Sequence, residues 1–344
     1  MNILGIETSC DETAAAVVCD ANVASERVRS NIVFSQISEH IEYGGVVPEI
    51  AARAHLHYIR PTIERALTEA NLTLAEIDAI AVTAGPGLIG GVLVGVMAAK
   101  AMAMAHHKPF LGINHLEGHA LTVRLTHDVP FPYLLLLVSG GHCQFVAVEG
   151  LGRYSVLGRT LDDAAGEAFD KVAKMMGAGY PGGPAVERLA LTGNAEQYAL
   201  TRPLIGRKGC DFSFSGLKTS IRTILQKGIV ITDQDKADLA ASFQKVVGDH
   251  IVDRTKNAFA LVDERYRHLV VAGGVAANNY LRGRLDELAR ERGRTFVAPP
   301  MGLCTDNAAM IAWAGLERFK AGLVSDLNIS PRPRWPLESL EGNR

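Results

Sequence analysis

The chain has 344 residues, enough for about two domains. Its 48% hydrophobic content and 34 glycines exclude a disordered or fibrous protein and fit a globular α/β one. The net charge of −2 decides nothing about nucleic acid, because a local basic face can hide in a balanced total.

The first element is a strand at residues 3–7, followed by the polar turn Thr8-Ser9-Cys10-Asp11-Glu12-Thr13, a second strand at 14–18 and a third near 28–34. An apolar run at 78–83 ends in Ala84-Gly85-Pro86-Gly87 and leads into an Ala/Gly/Val-rich buried helix. Then comes Asn114-His115-Leu116-Glu117-Gly118-His119. On a helix, His115 and His119 share one face a turn apart, where two imidazoles can grip one metal ion; two solvent-facing histidines would show the same spacing. In the zinc-peptidase motif a Glu directly follows the first His. Here Leu116 holds that place and Glu117 lies about 100° further round. A metal site survives this displacement; a peptidase mechanism loses its general base.

From Tyr133 the opening order recurs. An apolar strand at 133–138 meets the Gly-rich turn Ser139-Gly140-Gly141-His142, then a strand at 143–148 and another near 154–157. A buried strand at 268–272 ends in Gly273-Gly274 and precedes a helix ending at Glu291. The hairpin turn and the strand-Gly-helix turn thus each appear once per half, in the same order, which predicts a duplicated domain. Ligands of open α/β sheets bind beyond the strand C-terminal ends, and Gly-rich turns favour phosphate, so a nucleotide held in an interlobe cleft is expected; the glycines also serve as plain turn punctuation. No GxxxxGK[ST] occurs, and no GxGxxG follows the first strand, so neither a P-loop NTPase nor a Rossmann dehydrogenase is supported.

The five cysteines are odd in number, scattered and without a CxxC, which excludes a disulfide framework and fits a reducing compartment. No secretory leader pattern or membrane-length apolar run is legible, so a cytoplasmic protein with no membrane association is expected.

Read in order, Gly5-Ile6-Glu7-Thr8-Ser9-Cys10-Asp11-Glu12-Thr13, the HLEGH segment 115–119, Leu137-Val138-Ser139-Gly140-Gly141-His142, DDAAGEAFDK at 162–171, YPGGP at 180–184, FSFSGLKT at 212–219, GGVAAN at 273–278 and Cys304-Thr305-Asp306-Asn307 resemble the bacterial TsaD family, the tRNA adenosine threonylcarbamoyltransferases once misnamed O-sialoglycoprotein endopeptidases. The likeness covers nearly the whole chain. It implies two actin/Hsp70/sugar-kinase-like (ribonuclease H-like) domains, at 1–130 and 131–320, with 321–344 packing back on the first. The implied reaction moves a threonylcarbamoyl group from threonylcarbamoyl-AMP to the exocyclic amine of the adenosine just 3′ of the anticodon, in tRNAs reading codons that begin with A.

The resemblance also implies roles. His115, His119 and Asp306 would hold one divalent metal, iron in the usual assignment and zinc as the alternative; Asp306, ahead of a helix, would otherwise be an N-cap. Val138, Ser139, Gly140, Gly141 and His142 match the substrate-binding hairpin, with His142 a hydrogen-bond donor or a third metal ligand. Asp170, Gly183, Glu187 and Asn278 match positions that hold the adenosine part, although Asp170 with Lys174, or Glu187 alone, would also suit an exposed helix face. Asp11 or Glu12 would orient the amine and take its proton, or else simply cap strand ends. A paralogous actin-like subunit of TsaB type and a small P-loop ATPase of TsaE type are the implied partners. Residues 42–57 and the helix through Ala70 would supply partner surface, where Ala51, Ala52 and Ala54 offer small side chains for close helix packing. For tRNA, Arg202, Arg207, Lys208, Lys218 and Arg222 with Phe212 and Phe214, and Arg332, Arg334 and Trp335, offer two basic-aromatic segments, which would equally suit solvated surface; Phe212 and Phe214 also alternate as core residues of a half-buried strand do. The competing readings are a small-molecule kinase of the same fold, which predicts ATP hydrolysis, a metallopeptidase, and a non-catalytic paralogous scaffold, which would lack the metal residues.

Overall fold

The computed structural model describes residues 1–43, 45–228 and 232–340. Two compact units emerge. The first comprises residues up to Pro130, the short stretch Gly150–Tyr154 and the chain from Asp306 onward; the second comprises Phe131–Glu149 and Ser155–Thr305.

In the first unit, β1 (Asn2–Glu7), β2 (Glu12–Cys19) and β3 (Val28–Ser35) form an antiparallel meander. A short helix α1 (Ile37–His40) and the long α2 (Pro48–Glu69) precede β4 (Ala79–Gly85), α3 (Ile89–Ala105), β5 (Phe110–Asn114) and α4 (His115–His127). β4 pairs parallel with β1, and β5 with β4, which gives the order β3-β2-β1-β4-β5. Side chains alternate across a sheet. Leu4, Ile6, Ile80 and Val82 therefore point one way, into a core shared with Ile59 and Ile63 of α2 and Val92 and Val96 of α3. The intervening Gly5 and Ala81 point the other way, where a Cβ on Gly5 would stand 2.4 Å from the Ala308 carbonyl oxygen of α10 (Ala308–Lys320). Because α10 packs on β1, β2 and β4, it belongs with the first unit and not with a 131–320 domain. Covered on both faces, β4 is buried at all seven positions, as its unbroken apolar run requires.

The second unit repeats the plan. β6 (Tyr133–Val138), β7 (Cys143–Gly150) and β8 (Arg153–Arg159) run consecutively, followed by α5 (Ala165–Met176), α6 (Gly182–Ala190), α7 (Ser215–Gln226), α8 (Asp233–Leu261), β9 (His268–Ala272), α9 (Asn279–Glu291) and β10 (Thr295–Val297). The sheet order β10-β9-β6-β7-β8 is the first order read from its other edge, with β6 antiparallel to β7 and parallel to β9. The duplication legible in the turns is thus a duplication of topology. α8 starts at Thr232, whose hydroxyl accepts the Asp235 N–H while the Asp235 carboxylate accepts the Thr232 N–H, closing a capping box. Its Leu239, Phe243, Val247 and Ile251, at helical spacing, enter the core with Leu134, Leu136 and Phe169.

Among the described residues no helix is long and apolar enough to cross a membrane.

Candidate metal centre

The two histidines do sit on one helix. Asn114 ends β5 and caps α4, its Oδ1 accepting the N–H groups of Leu116 at 2.9 Å and Glu117 at 3.4 Å. His115 and His119 then fall one turn apart, their rings 4.8 Å between centroids and perpendicular. Asp306 reaches them from the end of the loop before α10. The N-cap of that helix is Asn307, whose Oδ1 accepts from Met310 N–H at 3.0 Å, so capping does not occupy Asp306. Gly118 lets the helices come this close: a Cβ there would meet Ile311 Cδ1 at 2.8 Å.

Asp306 Oδ1 lies 3.0 Å from His119 Nε2 and 3.4 Å from His115 Nε2. Atoms ligated to one ion at about 2.1 Å, and about 90–110° apart around it, stand about 3.0–3.4 Å from one another. Among the described residues, this trio is the one group of its kind whose ligand atoms all lie within 4.8 Å of each other. Two imidazole nitrogens and one carboxylate oxygen are a donor set that suits iron(II) or zinc. The residues present therefore fit a divalent metal.

Glu7 completes the arrangement. It ends β1, is buried, and accepts from His115 Nδ1 at 3.0 Å, Thr83 Oγ1 at 2.5 Å and Ser9 N–H at 2.5 Å. A carboxylate on the far ring nitrogen fixes the tautomer that leaves Nε2 free to ligate. Burial works against charge on these groups, yet their mutual attraction prevails. Burial depresses the His115 pKa, but Asp306 and Glu7 lift it well above the ordinary imidazole value. Burial raises Asp306 and Glu7, but His115 draws both down, Asp306 well below the usual carboxylate range. Glu7 was not singled out from the sequence; its signal is one acid closing an apolar strand.

The displaced Glu117 is accounted for too. Two residues from each histidine, it faces away from Asp306 and is buried against Arg318 and Tyr154. It cannot serve as a metallopeptidase base.

Asp11 and Glu12 lie at the β1–β2 turn of the same unit, Asp11 buried and Glu12 half-buried. Burial, then the charges of Asp306 and Asp11, push Glu12 well above the usual carboxylate range. Burial and the same acids raise the Cys10 thiol strongly, so it stays protonated.

In the second unit the hairpin between β6 and β7 is closed by Ser139 N–H to His142 O at 2.7 Å and His142 N–H to Ser139 Oγ at 3.1 Å. Val138 is buried at the strand end, and a Cβ on Gly140 or Gly141 would meet no atom, while Gly166 packs against the Gly140 backbone and donates its N–H to Ser139 O at 3.2 Å. A Cβ on Gly183 would also find open space. The acidic and amide residues carry local bonds. Asp170 Oδ1 accepts Gly182 N–H at 2.7 Å, Glu187 Oε1 accepts Asn279 N–H at 2.8 Å, and Asn278 caps α9 through Leu281 N–H while donating to Gln244 Oε1. These bonds gather Asp170, Glu187 and Asn278 around α6 and the start of α9.

Three expectations need correction. Phe212 and Phe214 are fully buried, stacked on one another and edge-on to His250, so they cannot stack on bases; Trp335 is buried as well. Ala51 and Ala54 are buried within the first unit and Ala52 faces Gly90 of α3, so these small residues serve packing within the chain; Gly44, in the same stretch, lies outside the described residues, as do 341–344 at the end of the C-terminal segment. The turn before α3 is not open to phosphate, since Gly87 N–H donates to Pro333 O and Arg332 N–H to Ala84 O.

A twice-repeated β3-β2-β1-β4-β5 sheet is the actin-like class of fold. Solved structures agree at this level. A HypF from T. kodakarensis aligns with TM-score 0.61 at 13% identity, over 94% of this chain and 48% of its own. The (R)-2-hydroxyglutaryl-CoA dehydratase component A of Acidaminococcus fermentans aligns with TM-score 0.52 at 16% identity, over 91% and 96%. The family model described as TsaD, tRNA N6-adenosine threonylcarbamoyltransferase, matches residues 27–313, and the chain belongs to that family. Relatives bearing the same description are 60% identical in Rhodospirillum rubrum, over 98% of this chain and 94% of the relative, and 57% identical in Brucella anthropi, over 98% and 96%.

Proposed function

We propose that this chain transfers the threonylcarbamoyl group of threonylcarbamoyl-AMP to the exocyclic amine of the adenosine 3′-adjacent to the anticodon, in tRNAs reading codons that begin with A. The observation that carries the mechanism is the convergence of His115, His119 and Asp306 within ligating distance of one another.

The donor is a mixed anhydride. The adenosine N6 attacks the carbamoyl carbon, the C–N bond forms, and the bond to the phosphate oxygen breaks, with AMP leaving on that electron pair. The amine gives up one proton. Its lone pair is delocalised into the ring, so it needs a base at the moment of attack. Asp11 or Glu12 takes that proton, and both stand in the unit that carries the metal ligands. His115, His119 and Asp306 would hold a divalent metal, which would supply Lewis-acid polarisation of the carbonyl and neutralise phosphate charge. Iron is the favoured occupant, with zinc the alternative. Glu7 keeps His115 in ligating orientation. Val138, Ser139 and the backbone amides of Gly140 and Gly141 bind the acyl-phosphate, with His142 donating a hydrogen bond. Asp170, Gly183, Glu187 and Asn278 hold the adenosine part, the carboxylates accepting from ribose hydroxyls. A TsaB-type subunit and a TsaE-type ATPase assist, and the protein works in the cytoplasm.

The test is direct. Purified protein is incubated with threonylcarbamoyl-AMP and unmodified tRNA, with and without the two candidate partners, and the nucleosides are analysed by mass. Appearance of threonylcarbamoyl-adenosine supports the reading; none under any combination overturns it. Asp11→Ala and Glu12→Ala should abolish transfer with metal content intact.

A further inference from the structure

Beneath the β1–β2 turn lies a polar cluster that the mechanism above does not use. Thr13, Gln36, His40 and His55 are fully buried. Buried polar groups persist where each finds a partner, and here one proton arrangement satisfies them all. His55 Nε2 stands 3.1 Å from the Cys10 carbonyl, which can only accept, so Nε2 carries the hydrogen. Nδ1 is then an acceptor, and it faces the Thr13 hydroxyl at 2.8 Å and the Gln36 Nε2 amide at 3.2 Å. Gln36 Oε1 accepts from His40 Nε2 at 3.3 Å, and His40 Nδ1 accepts Val47 N–H at 3.3 Å. The Gln36 backbone N–H donates to the Asp11 carbonyl at 3.0 Å. Gln36 sits at the N-cap of α1, yet its side chain makes no cap bond and joins this cluster instead. α3 makes room for the ring: a Cβ on Gly91 would stand 2.9 Å from His55 Nε2.

Two consecutive carbonyls, those of Cys10 and Asp11, are therefore gripped from below by His55 and Gln36. They belong to the peptide units that immediately precede Asp11 and Glu12. We propose that His55, oriented by Thr13 and Gln36, is a positioning residue for the acidic turn and sets where the two carboxylates stand relative to the reacting amine. This rests on the reading that Asp11 or Glu12 takes the amine proton. A base misplaced by about 1 Å can cost about 100-fold in rate.

The test is steady-state kinetics of the full chain in the transfer assay above, with metal content measured in parallel. His55→Leu should lower kcat about 10–100-fold, with the KM for threonylcarbamoyl-AMP and the bound metal unchanged. His55→Gln, which can again present an N–H to the Cys10 carbonyl, should regain most of the loss. Thr13→Val, which removes only a hydroxyl and decides the matter if His55→Leu does not fold, should lower kcat several-fold. An unchanged kcat in His55→Leu and Thr13→Val, or a His55→Gln as impaired as His55→Leu, overturns the inference. Asp11→Asn and Glu12→Gln separate the two ideas. If both keep full activity, the acidic turn has no part in transfer and this proposal falls with it. If they lose activity while the His55 and Thr13 variants keep theirs, only this proposal falls.

Discussion

Glu117 and Arg318 form a bidentate ion pair inside the first unit: Nε to Oε2 at 2.5 Å and Nη2 to Oε1 at 3.0 Å, with Tyr154 Oη adding 2.8 Å to Oε1. The pair ties the metal-bearing α4 to α10. Removing one partner of a buried pair strands the other charge, at a cost of about 3–5 kcal/mol, whereas an apolar replacement of both can be close to neutral. Glu117→Ala should therefore destabilise the protein by about that amount, and the double variant Glu117→Leu/Arg318→Leu by much less. Urea unfolding of the two decides it; a double variant as unstable as the single one contradicts the account.

Glu7 predicts a different signature. Its Oε2 accepts from both His115 and Thr83, so Glu7→Gln disturbs the ligand's orientation without emptying the site of bulk. Loss of such an outer carboxylate typically weakens metal binding about 10–100-fold. Titration of the metal-free variant with zinc or iron(II) should show that drop, and an affinity equal to the parent's would remove Glu7 from the centre.

How far these features were readable follows from their chemistry. The metal helix announced itself because His115 and His119 obey a helical period, and the duplicated sheet because its turns repeat. Asp306 came only through the family resemblance: it lies 187 positions from His119, and no local pattern links them. Glu7 was missed because a strand-ending acid looks like the start of the polar turn behind it. The three-residue β10 and the five-residue β5 were too short to register as periodicity, and β5 runs straight into α4. Phe212 and Phe214 carried two readings at once. Their basic flanks suggested base stacking and their alternation core packing; the core reading holds, and Asp162 anchors the segment by accepting from Ser213 Oγ, Ser215 Oγ and the Phe214 and Ser215 N–H groups.

His250 gives the second unit an acid-sensitive core. It is fully buried, and its Nε2 accepts Ser213 N–H at 3.3 Å. Burial, then the Arg254 charge, holds its pKa down at about 4. The unfolded chain takes up this proton near pH ~6.5. Its contribution to stability is thus complete above about pH 6.5 and is lost as pH falls towards 4, on the order of 3 kcal/mol in all. His250→Gln, which keeps an acceptor for Ser213, should flatten that part of the curve. Denaturant unfolding at several values between pH 7 and 4 tests this: parallel curves for parent and variant would assign the acid sensitivity elsewhere.

Asn114 carries two duties that one atom exchange separates. Its Oδ1 caps α4, and its Nδ2 donates to the Trp335 carbonyl at 3.0 Å. Trp335 is buried in the first unit's core with Arg332 stacked over its ring, so the C-terminal strap fixes the start of the metal helix through this bond. Asn114→Asp preserves a competent cap but turns an acceptor towards a carbonyl that has lost its donor. A buried acceptor left unpaired costs about 1–3 kcal/mol, more beside a charge. The variant should unfold at lower denaturant and bind zinc more weakly, because His115 directly follows Asn114 and moves with it. Asn114→Ser, which caps without placing a charge against Trp335, should lose less stability. If Asn114→Asp matches the parent in both stability and zinc affinity, the strap has no hold on the centre.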